Sequence, residues 1–292
     1  MRWQGRRQST NVDDRRKISA GKMVAGGGIG AIIIYFLVMF MGGDPGSLPI
    51  DLSQIGGGST VELTPEQEAE DEKRAEFIRV VLAETEDIWN EIFRREYNQD
   101  YPEPTLVMFR DMVQSGCGTA SAQSGPFYCP ADKQIYLDLS FFEDMQNKFN
   151  APGEFAMAYV LAHEVGHHIQ TVLGISQKVH AERSRLSQTE YNKLSVKLEL
   201  QADFLAGVWA HYTRKMKDII EPGDIESAMN AANAIGDDRL QQQYQGRVVP
   251  DAFTHGTSQQ RMYWFKKGYE TGDLSQGDTF STSNCCTTLK FQ

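Results

Sequence analysis

Hydrophobic and polar positions fall into three regimes along the chain. Residues 23–43, "MVAGGGIGAIIIYFLVMFMGG", run for 21 positions without a charged side chain. At 1.5 Å per residue that is roughly 30 Å of helix, enough to cross the hydrocarbon core of a bilayer. Residues 44–63, "DPGSLPIDLSQIGGGSTVEL", are rich in Gly, Pro and Ser and read as a flexible linker. From residue 64 onward the pattern is that of a folded domain. Thr64 as N-cap, Pro65 behind it and Gln67 completing a capping box predict the start of a helix over 64–98. Phe77, Val80, Val81, Ile88, Ile92 and Phe93 recur at helical spacing and turn its second half toward a core, while its acidic first half reads as a solvated face. "TLVMF" (105–109) and "KQIYLDLSFF" (133–142) join β-branched and aromatic residues between turn signals, so both are expected to be strands. Helices are expected over 153–174, ending at Gly174, and over 187–216, where Leu194, Leu198, Ala202, Leu205 and Trp209 form a stripe. Two more are expected near 224–235, capped by Asp224 and stopped by Gly236, and near 258–270. Strands early and helices late predict an α+β fold.

Charge sharpens this organisation. The net charge of −10 hides an asymmetry, because residues 1–22 carry seven Arg and Lys against two Asp and stand at +5, leaving −15 on the rest. A domain so acidic repels phosphate backbones, which excludes nucleic acid as its partner. Basic residues before the apolar run and Asp44 after it follow the positive-inside pattern. The expected organisation is therefore a cytoplasmic basic tail (1–22), one transmembrane helix (23–43), a linker (44–63) and an extracytoplasmic domain (64–292). A cleaved signal peptide fits less well, since its apolar region is usually only ~7–15 residues long and no A-x-A-like site follows here. Gly26 and Gly30 form a small-xxx-small pair through which two anchors could pack into a homo-oligomer.

Four cysteines, Cys117, Cys129, Cys285 and Cys286, fall in the outward part, where disulfides persist. Cys117 and Cys129 bracket the turn-rich "CGTASAQSGPFYC", and a bridge between them is expected to constrain that loop. Adjacent Cys285 and Cys286 are awkward partners for each other, because neighbouring Cα atoms are only about 3.8 Å apart.

The chemistry is concentrated in "VLAHEVGHHIQ" (160–170), which holds three of the chain's six histidines. His163 and His167 are i and i+4, so their imidazoles leave one helix face a turn apart and can close on a single metal ion. Glu164 lies one step around the helix, able to reach a water at that ion. His-Glu-x-x-His thus reads as a site for one zinc ion with its general base included. His168, about 100° around the helix from His167, reads as a packing histidine.

A catalytic zinc needs a third protein ligand. The pattern H-E-x-x-H-x-x-G-x-x-H fails, since positions 170 and 173 are Gln and Leu. "KLELQADFLAGVWAH" offers Glu199 and, as a rival, His211. Glu199 is preferred because Asp203 stands one turn on, where it could fix the ring N–H of a ligand histidine. Ala202, Ala206, Gly207 and Ala210 make this helix small-sided and suited to close packing. In "DAFTHGTSQQRMYWFKKGY", His255 and Arg261 are candidates to donate to the oxyanion formed when water adds to a carbonyl.

Together, "AHEVGHHIQ", "ELQADFLAGVWAH", "CGTASAQSGPFYCPADKQIYLDLSFF" and "THGTSQQRMYWFKKGY", behind an N-terminal apolar run, resemble the bacterial family described as putative neutral zinc metallopeptidases. The resemblance covers almost the whole chain. It implies a zincin-like α+β domain, with a small sheet beside the HExxH helix and a mostly helical C-terminal part. It further implies zinc held by His163, His167 and Glu199, Glu164 as the catalytic residue, and a peptide or protein substrate. The expected location is the bacterial inner membrane, with the domain in the periplasm and lipid met through one helix. The E-x-x-x-D and T-H-x-x-x-x-x-R patterns also look like those of membrane-bound zinc proteases of the HEXXH-plus-Glu type. In such folds a strand beside the active helix pairs with an extended peptide, and "KQIYLDL" is the expected edge, with Tyr128 and Tyr136 lining the cleft or packing in the core. Two other functions compete, a zinc-stapled scaffold without catalysis and a zinc hydrolase of non-peptide bonds. Glu164 discriminates against the scaffold, since a structural site needs no acid/base beside its metal.

Overall fold

The computed structural model describes residues 1–17, 63–121 and 124–281. The apolar run at 23–43, most of the linker and Cys285–Cys286 lie outside the described residues. No helix among the described residues is long and apolar enough to cross a membrane.

The elements in chain order begin with strand β1 (Val12–Asp14), helix α1 (Pro65–Tyr97), and strands β2 (Thr105–Phe109), β3 (Met112–Ser115), β4 (Gly118–Ser121), β5 (Phe127–Cys129) and β6 (Gln134–Asp138). Helices α2 (Phe141–Asn147), α3 (Glu154–Val172), α4 (Ile175–Ala181), α5 (Gln188–Tyr212), α6 (Asp224–Ala234), α7 (Asp237–Gln245) and α8 (Ser258–Thr271) follow. The α+β expectation holds. The Thr64–Gln67 capping box opens α1, and matching boxes at Ser187–Glu190 and Thr257–Gln260 open α5 and α8.

Four strands form one sheet in the order β1-β2-β6-β5, with β1, β2 and β6 parallel and β5 antiparallel to β6. Alternation along the central strands sends their side chains to two cores. Leu106, Met108, Ile135 and Leu137 face the helices and join the main core. Val107, Phe109 and Tyr136 face the other way and pack with Val113 and Cys129 beside the β3–β4 hairpin. Cys117 and Cys129 are disulfide-bonded, tying the hairpin side of this small core to β5.

Two expectations about this region are corrected. "KQIYLDL" is not an edge, because β6 pairs with β2 on one side and β5 on the other, and its side chains are buried on both faces. Among the described residues, the outer strand of the sheet beside α3 is β5. The second half of "KQIYLDLSFF" turns into helix α2 at Phe141, after Asp138 accepts from Ser140 N and bends the chain.

The N-terminal residues bring a larger departure. The expectation of a separate basic tail over 1–22 does not describe residues 1–17, which are part of the domain. β1 extends the sheet in parallel register, Val12 opposite Leu106 and Asp14 opposite Met108. Trp3 is 2% exposed and packs edge-on against Phe77. Arg6 reaches Glu84 at 2.7 Å, Arg7 reaches Glu86 at 2.9 Å and Asp87 at 2.7 Å, and Arg16 reaches Asp71 at 2.6 Å. The acidic first turns of α1 are exposed as expected, with Asp71 buried among them, while Glu84 and Glu86 are buried carboxylates on its core-facing second half. Leaving one such charge buried without its partner costs about 3–5 kcal/mol.

Helices α3 and α5 cross closely because Gly166 has no side chain, a Cβ there lying 3.0 Å from the Ala202 backbone. Helices α5 and α8 meet at Gly207 and Gly268, where a Cβ on either would overlap a backbone carbonyl of the other helix. Those two crossings carry the third and fourth elements of the site toward the histidines.

Candidate metal centre

Helix α3 is buried almost all round, so the polar groups on it must find partners inside the protein. His163 and His167 leave the same face, with their Nε2 atoms 3.2 Å apart. The crossing at Gly166 brings Glu199 of α5 against both. One Glu199 oxygen lies 3.1 Å from His163 Nε2 and the other 3.3 Å from His167 Nε2. Four-coordinate zinc with ligands at ~2.0–2.1 Å separates its ligand atoms by about 3.3 Å. Among the described residues, His163, His167 and Glu199 are the group able to hold a metal ion, and their spacing suits zinc.

His211 does not take part. It sits twelve residues along α5 from Glu199, about 18 Å at 1.5 Å per residue. Its Nδ1–H donates to Tyr269 O at 2.8 Å, at the end of α8.

The opposite ring edge of each histidine is also held. His163 Nδ1 donates to Asp203 Oδ1 at 2.8 Å. The same carboxylate accepts from Tyr159 OH at 2.6 Å and from Arg261 Nε and Nη2 at 2.9 and 3.0 Å. Asp203 is 0% and Arg261 3% exposed, so Arg261 is spent on this buried pair and does not face a substrate. Its suggested role as an oxyanion donor is corrected on that ground. His167 Nδ1 donates to Gln170 Oε1 at 2.9 Å, and Gln170 Nε2 donates to Leu198 O at 2.7 Å. Sequence reasoning met Gln170 only as the place where a third histidine is missing. Its signal was there, since i+3 from His167 is the same helix face. Both histidines are thus fixed in the tautomer that turns Nε2 to the common point.

Gln170→Leu should weaken zinc binding by roughly 10–100-fold, the usual cost of removing a partner that orients a ligand. Gln170→Glu keeps an acceptor for His167 and should recover much of the loss. Zinc titration against a competing chelator reads both, and wild-type affinity in the leucine variant would remove Gln170 from the site.

Electrostatics favour a cation here. Burial alone would lower the His163 pKa, but the charge and hydrogen bond of Asp203, joined by Glu199, push it up to about 10. Burial works against the charges of Glu199 and Asp203 as well, and is outweighed. Glu199 is held well below the usual carboxylate range by His167 and His255, and Asp203 falls to about 2 beside Arg261 and His163. Glu164, 8% exposed, goes the other way. Burial raises it, Glu199 adding and the two imidazoles opposing. Neighbouring carboxylates on one helix pair are thereby pushed apart, one kept ionised and one made more basic.

His255 lies in the loop before α8 and is half exposed. Buried Asp237 at the start of α7 accepts from the backbone N–H of Thr254, His255 and Gly256 at 2.7, 2.6 and 3.0 Å, and lies 3.2 Å from His255 Nδ1. Although burial lowers it, the charges of Glu199 and Asp237 raise the His255 pKa to about 9. Neither α7 nor Asp237 was legible beforehand. His168 is a packing histidine, 2% exposed, donating through Nε2 to Pro102 O at 2.5 Å and accepting from Tyr128 OH at 3.2 Å. That contact fastens β5 to α3. Tyr136 is in the small core, its hydroxyl donating to Asp132 at 2.7 Å, and lines no cleft.

The family described as "Putative neutral zinc metallopeptidase" matches residues 1–280. "Uncharacterized protein YpfJ" of Escherichia coli K12 is 48% identical over 97% of this chain and all of its own length. "Uncharacterized protein Rv2575" of Mycobacterium tuberculosis H37Rv is 43% identical over 63% of this chain and 64% of its own. No solved structure matches.

Proposed function

The chain belongs to the family described as putative neutral zinc metallopeptidases, and from that membership we propose that it hydrolyses peptide bonds with one zinc ion held by His163, His167 and Glu199. The observation that carries this reading is the buried Glu164 beside the His-His-Glu group, a carboxylate made more basic by its surroundings. When bound, zinc supplies Lewis acidity, polarising the scissile carbonyl and acidifying water toward a pKa of ~7. Glu164 accepts the proton of the attacking water as the C–O bond forms. It returns that proton to the amide nitrogen as the C–N bond breaks. His255, steered by Asp237, donates to the carbonyl oxygen as negative charge builds. Asp203 and Gln170 keep the two imidazoles aimed, with Arg261 and Tyr159 locking Asp203.

The β5 edge beside α3 supports an extended peptide as substrate, bound by strand addition. A zincin-like description of the fold rests on that same pairing of edge strand and HExxH helix. The apolar run at 23–43 supports attachment to a bacterial inner membrane, and the Cys117–Cys129 bridge supports an extracytoplasmic setting.

Purified protein should contain one zinc per chain and cleave members of an unstructured peptide library. Stripping the metal with a chelator should abolish cleavage, and stoichiometric zinc should restore it. Full zinc occupancy with no peptide cut under any condition would point to the scaffold instead.

A further inference from the structure

The basic N-terminal residues and the domain that bears the site are bound to each other throughout. β1 pairs with β2. Trp3 Nε1 donates to Glu154 Oε2 at 2.8 Å, and Glu154 is the first residue of α3, the helix that presents His163 and His167. Arg6, Arg7 and Arg16 are the counterions of Glu84, Glu86 and Asp71 on α1. Three of the positive charges that make residues 1–22 look like a cytoplasmic tail therefore have partners inside the fold.

The two ends of the interval 18–62 also emerge together. Arg16 Nη1 lies 2.6 Å from Asp71 Oδ2 and Arg16 Nη2 2.8 Å from Glu72 Oε2, close to the start of α1. A chain that crossed a membrane once between residues 17 and 63 would hold these groups on opposite sides of roughly 30 Å of hydrocarbon. Two crossings would return it, but they need about 40 apolar residues and the run has 21. A single crossing and this fold exclude each other in one molecule.

We infer that residues 1–17 and the metal centre lie in the same compartment. Residues 1–17 then serve as a built-in strand and counterion set for the domain. The inference rests on the N-terminal contacts alone and stands or falls independently of the peptidase chemistry.

Single-cysteine variants of the full chain test it in its native membrane. Gln4→Cys and Tyr244→Cys both replace exposed side chains, in the N-terminal segment and the domain respectively. They are made with Cys285→Ser and Cys286→Ser, leaving the Cys117–Cys129 bridge in place. A membrane-impermeant maleimide is applied to sealed spheroplasts and again after detergent permeabilisation. The expected result is that both positions behave alike, each labelled to the same fraction before permeabilisation or each only after it. Labelling of one position in sealed spheroplasts with the other reacting only after detergent overturns the inference.

Discussion

Replacing Glu164 by glutamine should leave zinc in the protein and remove its hydrolytic activity. The amide has the shape of the carboxylate and occupies the same buried position on α3, so the packing around His163 and His167 is kept. It is not one of the three groups whose ligand atoms converge, so metal content should stay at the wild-type level. What disappears is the ability to take a proton from water and pass it on, a contribution of roughly 10²–10⁴ in rate. Zinc stoichiometry and peptide turnover on the same preparation read the two halves of this statement. Turnover near the wild-type rate would show that Glu164 is not the base, and loss of zinc would show that it belongs to the ligand set.

The second large effect separates ligand from support on α5. Glu199→Gln removes a charged ligand oxygen from between the two imidazoles and should cause the sharpest loss of zinc. Asp203→Asn leaves the ligand set intact but weakens the hold on His163 Nδ1, and should cost roughly 10–100-fold in affinity. Arg261→Leu touches no ligand, yet it strips Asp203 of its buried cation. It should therefore lower folding stability by about 3–5 kcal/mol, with a smaller effect on zinc in the protein that remains folded. His211→Ala, out at the far end of the helix, should leave affinity unchanged. Acid should mimic part of this pattern. Asp203 is depressed from its ordinary 3.8 to about 2, so its contribution to stability is full above the ordinary value and is lost as pH falls toward 2. Zinc titration and denaturant unfolding of the four variants test the order. Retention of zinc by Glu199→Gln with its release by His211→Ala would reverse the ligand assignment.

Helix and strand periodicity is a local property, and what it determined is correspondingly local. The i, i+4 spacing put His163 and His167 on one face with Glu164 beside them, and no tertiary contact was needed to see it. The capping residues Thr64 and Gln67, the strand at 105–109, the small-sided helix around Ala202 and Gly207, and the Cys117–Cys129 loop were readable for the same reason. Glu199 was preferred over His211 only through a neighbour one turn away. The choice between them was made by the crossing at Gly166, which sets how far along α5 the histidines are met. Arg261 was legible as a charge but not as the buried partner of Asp203, and Asp237 was missed because it acts across a contact with another loop, whereas Gln170, at i+3 from His167 on the same helix, was within reach of local spacing. The same limit explains the N-terminal segment. A basic stretch before an apolar run reads one way by composition, but a charge does not carry the address of its counterion. Only the folded chain, with Arg6, Arg7 and Arg16 seated on the carboxylates of α1, decided that those residues belong to the domain.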